Sequence, residues 1–253
     1  MKIIISPAKS LNFESPLPTQ KYSESVFLDQ SQTIHKALKK LTPKQLSELM
    51  SISDKLAQLN HERNQAWNTP FTPENARPAV YAFNGDVYTG LDVYSLPLDK
   101  LEELQDKLRI LSGLYGILKP LDLIQPYRLE MGTKLKVNRA NNLYEFWGDS
   151  ITKALNEEMD KGEVLVNLAS TEYFKAINVK KLNTQVVNPI FMDYKNGQLK
   201  IISFFAKKAR GLMSRFIIDN QLTEVEDILG FDYEGYSYSE KETKSPDKPV
   251  FIR

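Results

Sequence analysis

The chain contains no cysteine. That excludes a disulfide scaffold, a thiol nucleophile, a Cys-ligated zinc site and a Cys-held iron–sulfur cluster. Histidine is nearly as scarce: His35 and His61 are the only two, too few for a His-rich metal cage. Gln32 and Gln58 stand three positions before them, so the Glu-x-x-His pattern of di-iron bundles is missing. His61-Glu62 does not extend to His-Glu-x-x-His, because position 65 is Gln65. No apolar run is long enough to span a membrane. The opening MKIIISPAKS has three isoleucines before a Ser-Pro turn, too short a run for the apolar core of a secretory signal. The expected location is the cytoplasm, with no membrane partner. Neither a P-loop nor Gly-x-Gly-x-x-Gly occurs, and Asp193 to Gly197 lacks the EF-hand spacing. Ser6-x-x-Lys9 has the spacing of penicillin-recognising enzymes without their other motifs. No metal and no cofactor is expected.

The chain does have the makings of an ordinary globular core. Its 253 residues are 42% hydrophobic and 26% charged, a balance that argues against disorder. No repeat or linker divides it, so residues 1–253 read as one domain, with a loose polar tail at 239–249. Lys2 to Ile5 reads as a buried strand. Thr42-Pro43 and Thr72-Pro73 read as helix starts, and Ser53 or Asp54 as the cap of a helix reaching Trp67. Residues 79–83 read as a strand and 98–111 as a helix. A further helix is expected over 144–159, a strand over 164–166, and a capped start at Ser170. Asn196-Gly197 predicts a type I′ hairpin with arms 186–194 and 199–205. A helix over 206–219 follows, and Thr223 with Glu226 predicts a capping box. The fold class is mixed α/β (α+β): a mixed sheet, surrounding helices and a helix-hairpin-helix-like element.

Three sets of residues could carry chemistry. The first is the run 108–120, LRILSGLYGILKP. Read as two helices joined by a glycine-bracketed turn, it would present the amides of Ser112, Gly113, Leu114, Tyr115 and Gly116 to a phosphate, flanked by Arg109 and Lys119. A glycine C-cap before a tight turn explains the same residues without a ligand. The second is charge segregation on a chain whose net charge is only +1, with 33 basic and 32 acidic residues. Between 200 and 218 there are basic residues and no acidic one, with Lys207, Lys208, Arg210 and Arg215 on one helix. Between 223 and 234 there are acidic residues and no basic one. Such a helix suits polyphosphate, or is a solvated face paired with the acidic stretch. The third is a scattered polar set at expected strand ends and turns: Ser6, Lys9, Asn84, Asp86, Arg128, Glu130, Asn167, Ser170 and Glu172. Strand ends are where α/β proteins place ligands.

Several long stretches, in order, resemble the YaaA family of peroxide-stress proteins. They include ISPAKS (5–10), MSISDKLA (50–57), FNGDVYTGL (83–91), the run 108–132, NLASTEYFK (167–175) and ISFFAKKARGLMSRFII (202–218). The resemblance implies a cytoplasmic bacterial protein that helps withstand hydrogen peroxide and limits iron-dependent damage. It also implies binding of double-stranded DNA without sequence readout, through a helix-hairpin-helix and a basic cleft. By position this puts the hairpin at Ser112 to Lys119 and the basic wall at Lys207, Lys208, Arg210 and Arg215. No reaction is attached to the family, and no obligate protein partner is inferred. Two rival readings remain: an enzyme acting on DNA or a nucleotide, with Arg128, Glu130, Asn167, Ser170 and Glu172 lining its cleft, and an iron-sequestering or regulatory protein.

Overall fold

The computed structural model describes residues 1–253. Five strands build the main sheet: β1 (Lys2–Ile5), β2 (Leu108–Ser112), β3 (Gly116–Leu118), β4 (Val164–Leu168) and β5 (Gln185–Val187). Their spatial order is β3-β2-β1-β4-β5. The strands β2, β1, β4 and β5 run parallel, and β3 returns antiparallel at the edge. The first strand explains the arrangement. All four of its residues are buried, and a short run buried on both faces belongs in the interior of a parallel sheet.

The chain leaves β1 toward β2 on one side, then crosses to β4 on the other side and goes on outward to β5. The connections leaving β1 and β4 therefore diverge. A crevice opens between the carboxyl ends of two such strands, as in doubly wound sheets. A second sheet of β6 (Ile190–Lys195), β7 (Gln198–Lys200), β8 (Ser237–Tyr238) and β9 (Val250–Ile252) has the order β7-β6-β9-β8. The helices are α1 (Leu28–Leu38), α2 (Pro43–Met50), α3 (Asp54–Ala66), α4 (Asp86–Leu91), α5 (Leu101–Lys107), α6 (Ser150–Glu158) and α7 (Ser203–Asp219), with shorter turns between them. One continuous cluster of buried apolar side chains runs from Met1 to Phe251. No helix is long and apolar enough to cross a membrane.

One contact does most to place the crevice walls. The helices α4 and α7 meet at Gly90 and Gly211. A Cβ on Gly211 would lie 1.8 Å from the Val87 carbonyl oxygen, and one on Gly90 would lie 2.1 Å from the Lys208 carbonyl oxygen. Only hydrogen fits at either position, so backbone lies on backbone.

Several local expectations hold. Thr42 and Gln45 form a capping box at α2, Ser53 caps α3, and Asn196 (φ 54) with Gly197 (φ 75) makes the hairpin between β6 and β7. Others are corrected. The helix expected over 98–111 stops at Lys107, and Leu108–Ser112 joins the sheet beside β1. Leucines at helical spacing there serve two successive buried elements. Residues 79–82 form a helical turn rather than a strand. Thr72-Pro73 begins only a turn. The helix expected over 144–159 breaks at Gly148 (φ 48). Val225–Gly230 is a 3-10 helix with no side-chain cap, so the Thr223–Glu226 box does not form. The segment expected to be loose is pinned: Thr243 donates to the Ser239 carbonyl, its hydroxyl accepts from the Val250 amide, and Asn188 donates to the Asp247 carbonyl.

Candidate functional site

The expected helix-hairpin-helix at 108–120 is a β-hairpin, β2 to β3, inside the core. Arg109, Ser112, Gly113, Leu114, Tyr115 and Gly116 are all buried. The amides meant for a phosphate are used internally. Those of Leu114 and Tyr115 donate to Ser112 Oγ at 3.2 and 3.0 Å, and Ser112 Oγ also meets the Tyr127 hydroxyl at 2.6 Å. Trp147 Nε1 donates to the Gly113 carbonyl at 3.1 Å. Gly116 does need positive φ (69), but a Cβ there would strike Trp147, so the glycine answers to packing. The flanking cations are paired: Glu158 takes Arg109 Nε at 2.5 Å and Lys119 Nζ at 3.3 Å. This hairpin offers no phosphate-gripping surface, because parallel pairing with β1 pulled it into the sheet.

The basic helix divides in two. Lys208 pairs with Glu234 at 2.6 Å, across to the acidic stretch. Arg215 pairs with Asp219 at 2.8 Å and donates to the Asp92 carbonyl at 2.9 Å. Lys207 and Arg210 have no carboxylate partner, and they face the crevice at the ends of β1 and β4. Burial pushes the Arg210 pKa below the ordinary arginine value.

That crevice, about 420 Å³, also gathers most of the scattered polar set. Ser6, Lys9 and Asn84 line it, together with Glu130, Ser170 and Glu172. Ser6 follows β1 and Ser170 follows β4. The Ser170 amide donates to Ser6 Oγ at 2.8 Å, and the two hydroxyls lie 3.3 Å apart. This stitch ties the two diverging connections together, and it occupies the serine expected to cap a helix. Glu130 is held by Lys9 at 2.8 Å and by Arg128 at 3.2 Å. Arg128 thus sits behind the wall, with its buried Nε lacking a partner. Glu172 accepts from the Gly132 amide at 2.8 Å through Oε1. Asn167 lies outside: it donates to Asn188 at 2.9 Å and accepts from the Ala169 amide at 3.0 Å.

The lining also includes Ser10, Asp86, Tyr88 and Tyr173. Asp86 belongs to the same polar set, and Ser10, outside it, shares the stretch of Ser6 and Lys9 and so was within reach of the sequence. The tyrosines had no local signal. Burial holds the Tyr173 phenol well above its usual pKa. Nowhere do three or more His, Asp or Glu side chains gather in a geometry that could hold a metal ion.

Comparison with known proteins agrees with the resemblance. The family model described as "Peroxide stress protein YaaA" matches residues 1–242. A UPF0246 protein of Flavobacterium johnsoniae is 65% identical over 238 residues, 94% of each chain. One from Aliivibrio fischeri is 56% identical over 245 residues, covering 96% of this chain and 95% of its own. One from Colwellia psychrerythraea is 56% identical over 255 residues, covering 100% of this chain and 99% of its own. The match runs through the strands, helices and crevice just described, and the chain belongs to the peroxide stress protein YaaA family.

Proposed function

We propose that the protein serves in peroxide stress by holding double-stranded DNA through its phosphates, without reading base sequence. The observation that carries this reading is the helix pair α2–α3. The two helices are joined by the turn Ser51-Ile52-Ser53, in which Ser51 takes a left-handed conformation (φ 52). Ser53 Oγ accepts from the Leu56 amide at 3.4 Å. The first amides of a helix lack intrahelical partners, which leaves those of Asp54 and Lys55 for an anion.

Along this helix pair and the preceding α1, Lys36, Lys39, Lys40, Lys44 and Lys55 are all exposed, and none takes part in a salt bridge. Only Glu48 and Asp54 oppose them between residues 36 and 55. The phosphate grip expected of the 108–120 run thus has a better candidate at residues 43–66. On this reading, protection against iron-dependent damage comes from covering DNA rather than from holding iron.

The test is fluorescence anisotropy with labelled duplexes of two unrelated sequences across a salt series. Lys44→Glu and Lys55→Glu should weaken both duplexes alike. Each should also reduce the slope of log affinity against log salt by about one. Unchanged affinity in both variants, or a strong dependence on base sequence, would end this reading.

A further inference from the structure

The crevice between β1 and β4 is built differently from the helix pair. One wall carries Lys207 and Arg210, one helical turn apart on α7 and held in place by the Gly90–Gly211 contact. No carboxylate neutralises either cation, and the Arg210 side chain is half-buried. A guanidinium withdrawn from water is costly without an anion, and its fork matches the oxygens of a phosphate. The rest of the lining carries acceptors. The Gly132 amide fixes Glu172 through Oε1, which leaves Oε2 unengaged. Asp86 and Asn84 make no side-chain hydrogen bond within the protein, and both line the same space. Glu130 is already held by Lys9 and Arg128.

The lining charges balance: Lys9, Lys207 and Arg210 against Asp86, Glu130 and Glu172. Three carboxylates would repel a continuous polyanion, but they suit a compact ligand with one anionic end and one end rich in O–H or N–H donors. The volume of about 420 Å³ falls in the small-molecule range. The wall tyrosines, Tyr88 and Tyr173, are 7% and 8% exposed, which leaves little ring face for a base to stack on.

We propose that this crevice binds a phosphorylated sugar, free or as the sugar-phosphate part of a nucleotide. The phosphate rests on Arg210 and Lys207, and the hydroxyls donate to Glu172 and Asp86. This site is separate from the DNA surface at α2–α3 and does not depend on it.

The test is isothermal titration calorimetry of the full chain with ribose 5-phosphate, AMP, ribose and inorganic phosphate. One ester should bind at one site per chain, about tenfold more tightly than inorganic phosphate, because only the ester engages both the cations and the acceptors. Tighter binding of ribose 5-phosphate identifies a free sugar phosphate, and tighter binding of AMP identifies a nucleotide. Arg210→Lys should weaken the ester by about tenfold. Lys207→Ala, at an exposed position, should weaken it by about fivefold. Glu172→Gln should lower ester affinity while leaving inorganic phosphate unchanged. Lys44→Glu and Lys55→Glu should leave ester binding intact even where DNA binding is lost. The proposal is overturned if neither ester exceeds inorganic phosphate, or if Lys207→Ala and Glu172→Gln both leave ester affinity unchanged. It is also overturned if duplex DNA displaces the ester competitively, because the crevice would then be part of the DNA surface.

Discussion

Arg109 with Lys119 and Lys207 with Arg210 are two cationic pairs that end differently. The first pair shares Glu158, and Arg109 Nη1 also donates to the carbonyls of Gln105, Asp106 and Leu108 at 2.9, 2.9 and 2.7 Å. The second pair has no anion from the protein. Both looked equally cationic along the chain. The difference lies in what arrives from elsewhere: α6 brings a carboxylate to one pair, while the main sheet leaves the other at a crevice mouth. A cation is available to a ligand only where folding has not already satisfied it.

The largest way to break this comparison is to move the helix that carries the free pair. Gly211→Ala places a Cβ 1.8 Å from the Val87 carbonyl oxygen and 2.7 Å from the Leu91 nitrogen, against the backbone of α4. The expected result is a loss above about 4 kcal/mol, enough to unfold many domains, seen as a collapsed melting temperature or insoluble protein. A variant that melts like the parent would show that α4 and α7 can separate cheaply, and that the crevice walls are not fixed.

A smaller effect separates the two pairs directly. Glu158→Ala leaves Arg109, 3% exposed, as a buried charge without its anion, and should cost about 3–5 kcal/mol in urea unfolding. Lys119, more exposed, adds under about 1 kcal/mol. Arg210→Met removes a guanidinium that has no partner to lose, and should change stability by less than about 1 kcal/mol or raise it. Equal losses in the two variants would mean that Arg210 is compensated after all.

The third test concerns a base that can escape its predicament, as arginine cannot. His35 is 4% exposed, stacks on Trp67 at 4.2 Å, and its Nε2 meets the Asn64 carbonyl at 2.9 Å. Burial lowers its pKa from 6.5 to about 4. Between those values the unfolded chain takes up the proton and the folded chain does not. The contribution is therefore complete above pH 6.5 and is lost as pH falls toward 4, on the order of 3 kcal/mol.

Asp122 opposes it. Burial raises its pKa from 3.8 to about 6, so the folded state holds that proton more tightly, and its contribution is lost as pH rises through 6. The two terms largely cancel in the parent between pH 4 and 6. His35→Gln should uncover the Asp122 term, with stability falling as pH rises across that window. A variant that keeps the parent profile would contradict a neutral, buried His35.

Legibility followed locality. The caps at Thr42 and Ser53 and the Asn196-Gly197 turn were readable because each depends on a few neighbouring residues whose backbone preferences are strong. Seven of the nine polar residues expected at strand ends and turns line the crevice, because strand ends are marked by Ser, Asn and acidic residues that interrupt apolar runs. The 108–118 hairpin was misread for the opposite reason. Its leucines satisfy a helical period and a fully buried strand equally well, and only the neighbour beside it, β1, decides between them. The α2–α3 turn is legible as the junction of two capped helices, because both caps are local.

The sequence by itself determined the mixed α/β class, the absence of thiol chemistry, the local caps and the family, all of which rest on composition or short-range pattern. Tertiary structure alone decided which cations stay free and that Ser6, Ser170 and Arg210 share one crevice. Those facts depend on contacts between residues more than a hundred positions apart in several cases, and nothing in a local window encodes which distant carboxylate or backbone will arrive there.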